Sequence, residues 1–203
     1  MLRPDGWLYN IIDRGTNALL LNLLWLVCCL PVVTAGAATC ACYNTARKCI
    51  LKNESPFFAT FFRTFRANFR QATILGLFWT LLTAAFFVGA SFASVGTVSG
   101  VGYNTLLIAV ILCAALFFWS MALIARFENK TAIHLRNTVI MAVRHLGSTL
   151  LLLLCLVITI FSVYMFFPLI FALPVIAMLI WASRLERMLK KFKYIEDKER
   201  KDE

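Results

Sequence analysis

Two long stretches of this 203-residue chain, Gln71 to Ala125 and His145 to Ser183, contain no Asp, Glu, Lys or Arg. Runs of that length without a charge are more than a soluble core needs, and they exclude an ordinary water-soluble domain. Histidine is nearly missing too, with only His134 and His145, and no carboxylate lies in either uncharged run. Hydrolytic chemistry needs a nucleophile with a base, or a metal with its ligands, so an enzyme reading finds little to use. The seven cysteines do not supply one: Cys40-Ala-Cys42 lacks the spacing of a zinc or thioredoxin-type pair, and packing is the plainer reading. No cofactor or metal site is expected.

What is present is apolar. Hydrophobic residues make up 61% of the chain and charged residues 15%. A spanning helix needs roughly 20 apolar residues to cross a hydrocarbon core about 30 Å thick. The net charge of +10 could suggest nucleic acid, but its placement argues otherwise. Two Lys and Arg precede residue 17, six lie in Arg47–Arg70, four in Arg126–Arg144 and eight from Arg184 onward. Basic segments alternating with uncharged ones are the positive-inside pattern of a multi-span protein.

The expected fold is therefore all-α: a single membrane domain forming a polytopic helical bundle. Its five transmembrane helices are placed at about 17–46, 71–94, 103–125, 147–165 and 169–183. Two amphipathic helices lie on the cytoplasmic side at about 56–70 and 131–145, followed by a basic tail over 184–203. The N-terminus is outside and the C-terminus inside, in a bacterial plasma membrane. The run Ala18 to Val33 followed by Ala35-Gly36-Ala37 mimics a cleaved signal peptide, but cleavage would put most basic residues outside, so it is not expected.

The first span, at about 45 Å, is longer than the bilayer core. Pro31 within it predicts a kink near Val27 to Pro31, because proline removes a helical hydrogen bond and clashes with the preceding turn. Ala35, Gly36, Thr39 and Cys40 form a small-residue face that lets another helix approach closely. Next, Ser55 and Pro56 read as an N-cap and first helical residue. Phe58, Phe61, Phe62, Phe65 and Phe69 then recur at spacings of three and four, with Arg63, Arg66 and Arg70 on another face. That pattern predicts a helix lying in the headgroup plane, with Phe toward acyl chains or other spans and Arg toward anionic phosphates.

An uncharged Gly/Ser-rich segment, 89–104, reads as a short external loop. The 131–145 segment repeats the amphipathic theme, with Leu135, Val139, Val143 and Leu146 on one face and His134, Asn137, Met141, Arg144 and His145 toward the other. Arg144-His145 introduces a span as Arg70-Gln71 does, which suggests a twofold parallel repeat. The 145–183 run would be about 57 Å as one helix, so it is divided near Phe166-Phe167-Pro168, with a bend at Pro174. Arg184, Arg187 and the lysines after them form a juxtamembrane cluster suited to anionic lipid. Lys198 to Glu203 reads as a charged, frayed end.

The stretch Asn22-Leu-Leu-Trp25-Leu, Leu30-Pro31-Val-Val-Thr34, Gly36-Ala-Ala-Thr39, Tyr43, Arg47-Lys48 and Phe61-Phe62-Arg63-Thr-Phe65-Arg66-Ala-Asn68-Phe69-Arg70-Gln71-Ala72 resembles the YesL-like bacterial membrane proteins. That family is grouped as a domain of unknown function. One departure is Ala37, where the family usually has proline after the glycine. The resemblance implies an accessory role in carbohydrate uptake beside ABC transporters, with permease subunits as possible partners, and it brings no catalytic or ligand residues. A small transporter or channel for a neutral solute is the alternative, its path built from Asn17, Asn22, Thr34, Thr39, Tyr43, Trp25 and Trp79. Against it stands the absence of ionisable residues in the expected spans. The sequence leaves the oligomeric state open.

Overall fold

The computed structural model describes residues 7–51, 56–92, 100–127, 130–166, 170 and 173–202, and among these the chain is all helical. Seven α-helices follow in order: α1 Trp7–Cys29, α2 Ala35–Thr45, α3 Phe57–Phe92, α4 Gly100–Ile124, α5 Thr131–Arg144, α6 Leu146–Met165 and α7 Leu173–Asp202. Three helices are long and apolar enough to cross a membrane: Phe57–Phe92, Gly102–Ile124 and Leu146–Met165. The apolar part of α1, Gly15–Cys29, is shorter.

Residues 17–46 do not form the expected single span. Pro31 ends α1 instead of kinking it, and a one-turn 3₁₀ segment, Val32–Thr34, leads into α2. The Thr34 hydroxyl donates to the carbonyls of Cys28 (2.6 Å) and Pro31 (2.8 Å), so the break is hydrogen-bonded from within. The chain then turns back on itself. The Trp25 indole donates to Thr39 Oγ1 at 3.1 Å, although 14 residues of continuous helix would separate them by about 21 Å. Ala18 and Leu21 share a core with Ala41, Cys42, Tyr43 and Ala46, which completes an antiparallel hairpin. The N-terminus-outside orientation required 17–46 to cross once, and it loses its basis here.

The small-residue face works inside this hairpin's neighbourhood. Residues 36–46 are all buried, and α2 lies antiparallel to α3, with Gly36 beside Ala72 and Gly76 and Asn44 beside Thr64. A Cβ on Gly36 would stand 2.3 Å from the Ala72 carbonyl oxygen, so only glycine permits this crossing. After α2 the backbone passes through a π-helical turn, Ala46–Leu51.

A second correction concerns 56–70 and 71–94. They are one uninterrupted helix, α3, about 54 Å long, so the Phe/Arg segment continues the apolar helix after it and does not lie across it. The Ser55 cap falls outside the described residues, as do residues 93–99 of the expected loop. Helix α4 returns antiparallel to α3, with the Trp79 indole donating to Ser120 Oγ at 2.7 Å.

The repeat is not reproduced, because the corresponding segments on the other side, α5 and α6, are broken at His145 (φ −116°, ψ 52°). The Thr149 hydroxyl donates to the Ala142 carbonyl (2.8 Å), occupying an acceptor freed where α5 stops. Helix α5 is also turned the other way round from a soluble amphipathic helix: His134, Thr138 and Ala142 face the protein, while Val139 and Val143 face out. In lipid an apolar outer face costs nothing, and hydroxyl and small residues suit the contact with α4. Thr138 and Ser120 meet at 3.2 Å. Burial in that contact lowers the His134 pKa, opposed in part by a hydrogen bond to the Phe127 backbone, and burial with Arg144 nearby lowers that of His145.

Helix α6 ends at Met165, where a break was expected, and Pro168 lies outside the described residues. Helix α7 starts at Leu173, so Pro174 sits in its first turn and introduces no bend there. It continues to Asp202, so the expected frayed tail is helical.

Candidate functional site: a buried arginine–glutamate cluster

Along α7, Val175, Met178, Trp181, Ala182 and Leu185 form the buried stripe, and Glu186 follows Ala182 by one helical turn. Its side chain is therefore carried inward, and the residue is only 8% exposed. Three donors from two other parts of the chain converge on its Oε1. Arg126, just beyond α4, makes a close charge-assisted hydrogen bond. The Tyr43 hydroxyl donates from 3.4 Å, and the Arg47 Nε lies 4.0 Å away. Tyr43 and Arg47 are four residues apart, which places both on the side of the chain that meets α7.

The cluster extends into α3 through Asn44. Arg47 Nη2 donates to Asn44 Oδ1 (2.9 Å), and Asn44 Nδ2 donates to Thr64 Oγ1 (2.7 Å). The Thr64 hydroxyl in turn donates to the Thr60 carbonyl at 2.8 Å. Behind it the aromatic rings of Tyr43, Trp181 and Trp119 pack in sequence, with centroids 5.8 and 5.5 Å apart. One carboxylate thus serves two guanidiniums, an arrangement that ties α2, α3, α4 and α7 together at one end. Charge-assisted contacts from two separate parts of the chain to one carboxylate suit holding helices in register.

Residues 18–90, running from α1 into α3, match the family described as a protein of unknown function, DUF624. This is the family to which YesL-like proteins belong, and the residues that carry the resemblance lie inside the matched stretch. No curated protein and no solved structure matches the chain. Within the DUF624 match lie Tyr43, Asn44 and Arg47; Arg126 and Glu186 lie beyond it, so the cluster joins the matched stretch to the rest of the bundle.

The other singled-out residues divide. Asn22 is fully buried and its amide donates to the Ile170 carbonyl at 2.7 Å. Trp25 and Thr39 bond each other, and Thr39 also donates to the Ala35 carbonyl. Phe61, expected toward acyl chains or other spans, is fully buried against neighbouring helices and stacks on Phe65 at 6.2 Å, because α2 and the π turn cover that side of α3. Phe62 and Phe69 are exposed, as are Arg63, Arg66, Arg70, Arg144, Arg184 and Arg187. Glu186 was hidden among the charges of the tail; extending the 175–178–182 spacing by one turn is the signal that finds it. Among the described residues no three His, Cys, Asp or Glu come together as metal ligands.

Proposed function

We propose that the chain is a non-enzymatic integral membrane protein that serves bacterial carbohydrate uptake as an accessory of an ABC-type transporter. The observation that carries the accessory reading is what its interior polar groups do. Trp25 with Thr39, Trp79 with Ser120 and Thr138, Trp119 with Thr149, and Asn44 with Thr64 bond one another across helix contacts. Groups used in this way hold a bundle together, whereas a sugar path needs donors and acceptors that turn toward the substrate. The carbohydrate context comes from the YesL-like resemblance.

The small-residue face of α2 is taken up by α3, so a permease would meet the outward apolar faces of α5 and α6, with Val143 63% and Leu150 69% exposed. A photo-crosslinker at Val143 in native membranes is expected to capture permease subunits, and one at Thr39 none. Uptake of labelled sugar by vesicles holding only this protein would replace the accessory reading with a transporter.

The α1–α2 hairpin returns the chain to the side it came from. If α3 and α4 cross out and back and α6 crosses with the apolar start of α7 leading back, the Lys and Arg of the described residues would share one side, which the positive-inside rule makes cytoplasmic. A reporter fused ahead of Met1 should be active only in its cytoplasmic form; external activity sinks this topology.

A further inference from the structure

Between α1, α4, α6 and α7 lies a cavity of about 490 Å³, with Trp25, Leu152, Cys155, Ile160, Ala177 and Trp181 among the residues on its wall. That volume falls within the roughly 300–1,000 Å³ of small-molecule sites. Apart from the buried Trp181 indole N–H, which has no partner, and the Tyr164 hydroxyl, the wall has little to give a polar ligand. Trp25's indole is engaged by Thr39, and the Thr159 hydroxyl donates to the Cys155 carbonyl of its own helix at 2.7 Å. A sugar placed here would leave hydroxyls without partners, each a desolvation cost. The cavity is also continuous with the outer face of α6, where Ile160 is 68% and Tyr164 82% exposed on a helix of membrane-crossing length. On a helix crossing a bilayer, such an opening would face hydrocarbon.

We infer that this cavity holds one acyl chain of an anionic membrane phospholipid, whose headgroup is met by Arg184. On α7, Ala177, Trp181 and Arg184 are spaced i, i+4, i+7 and share a face, so the stripe that lines the cavity ends in a guanidinium. Arg184 Nη2 lies across the start of α6, 3.3 Å from where a Cβ on Gly147 would stand, at the end of the same α6–α7 pair. Arg187 is exposed one turn further on. Apolar burial supplies the affinity of such a site, and the cationic end supplies the preference for a negative headgroup.

The test is native mass spectrometry of the full chain, released from detergent after equilibration with phosphatidylglycerol or phosphatidylcholine of identical acyl chains. One phosphatidylglycerol should be retained per protein, in preference to phosphatidylcholine. Arg184→Gln should still retain lipid but lose about fivefold in headgroup preference, the factor that about 1 kcal/mol per basic residue at an anionic surface gives. Ala177→Phe, which fills the cavity from α7, should abolish retention of both lipids, with Cys155→Phe filling it from α6 if the first variant fails to fold. The inference is overturned by a smooth series of adducts without preference, by an unchanged preference in Arg184→Gln, by unchanged retention in a folded filler variant, or by retention of a quinone or isoprenoid in place of phospholipid.

Discussion

Gly36→Ala is expected to cost the protein most of its folded population in detergent. The added methyl would sit 2.3 Å from the Ala72 carbonyl oxygen and 3.0 Å from the Gly76 Cα, and neither is a side chain that can swing away. Helices α2 and α3 would have to separate, and with them the Asn44–Thr64 contact. Overpacking of a close contact costs about 1–3 kcal/mol even where side chains can yield, and here backbone must move. Gly76→Ala, 2.8 Å from the Gly36 Cα, should act in the same direction. Gly15→Ala is the contrast, since nothing lies within 4 Å of its Cβ position in α1. There the better helix former should be neutral or stabilising by up to about 1 kcal/mol. Thermal unfolding followed by size-exclusion chromatography reads all three, and a Gly36→Ala protein that melts with the wild type would refute the close α2–α3 crossing.

Glu186→Ala should be nearly as damaging, through charge instead of shape. It leaves Arg47 and Arg126, whose side chains are 14% and 20% exposed, facing each other with no carboxylate between them. Removing one member of a buried ion pair costs about 3–5 kcal/mol, and partial exposure places this case toward the lower figure. Glu186→Gln should be milder, because its carbonyl still accepts from Tyr43 and Arg126 while the charge balance is lost. Glu186→Leu combined with Arg126→Met should recover part of the loss, since an apolar pair replaces an unpaired charge. Melting temperature measures the series, and limited proteolysis shows whether α7 is the part released. An alanine variant as stable and as protease-resistant as the parent would mean that the cluster does not hold α7 in place.

The spacing of polar and apolar residues revealed helices well and their partners poorly. The 103–125 and 147–165 segments stand close to α4 and α6, because about 20 apolar residues without a charge admit few other arrangements in a bilayer. Gly36 and Thr39 were legible as a close-packing face, since small residues at one-turn spacing have that use whatever helix they meet. Pro31 was legible as a disturbance but not as a reversal. Whether the chain bends or turns back depends on whether Thr39 finds Trp25, and that pair is made across the turn.

Sequence by itself settled that this is a helical chain with segments long and apolar enough to cross a membrane, where its charges stop, and which helix face is narrow enough for backbone contact. Only the tertiary structure decided that residues 17–46 form a hairpin, that Phe61 points inward while Phe62 points out, and that Glu186 belongs to Arg47 and Arg126. The physical reason is common to all three. Water forces apolar groups inside and so lets a pattern announce its inner face, whereas lipid accepts an apolar face on either side. Which face meets which is then left to hydrogen bonds, ion pairs and close packing between residues far apart in the chain.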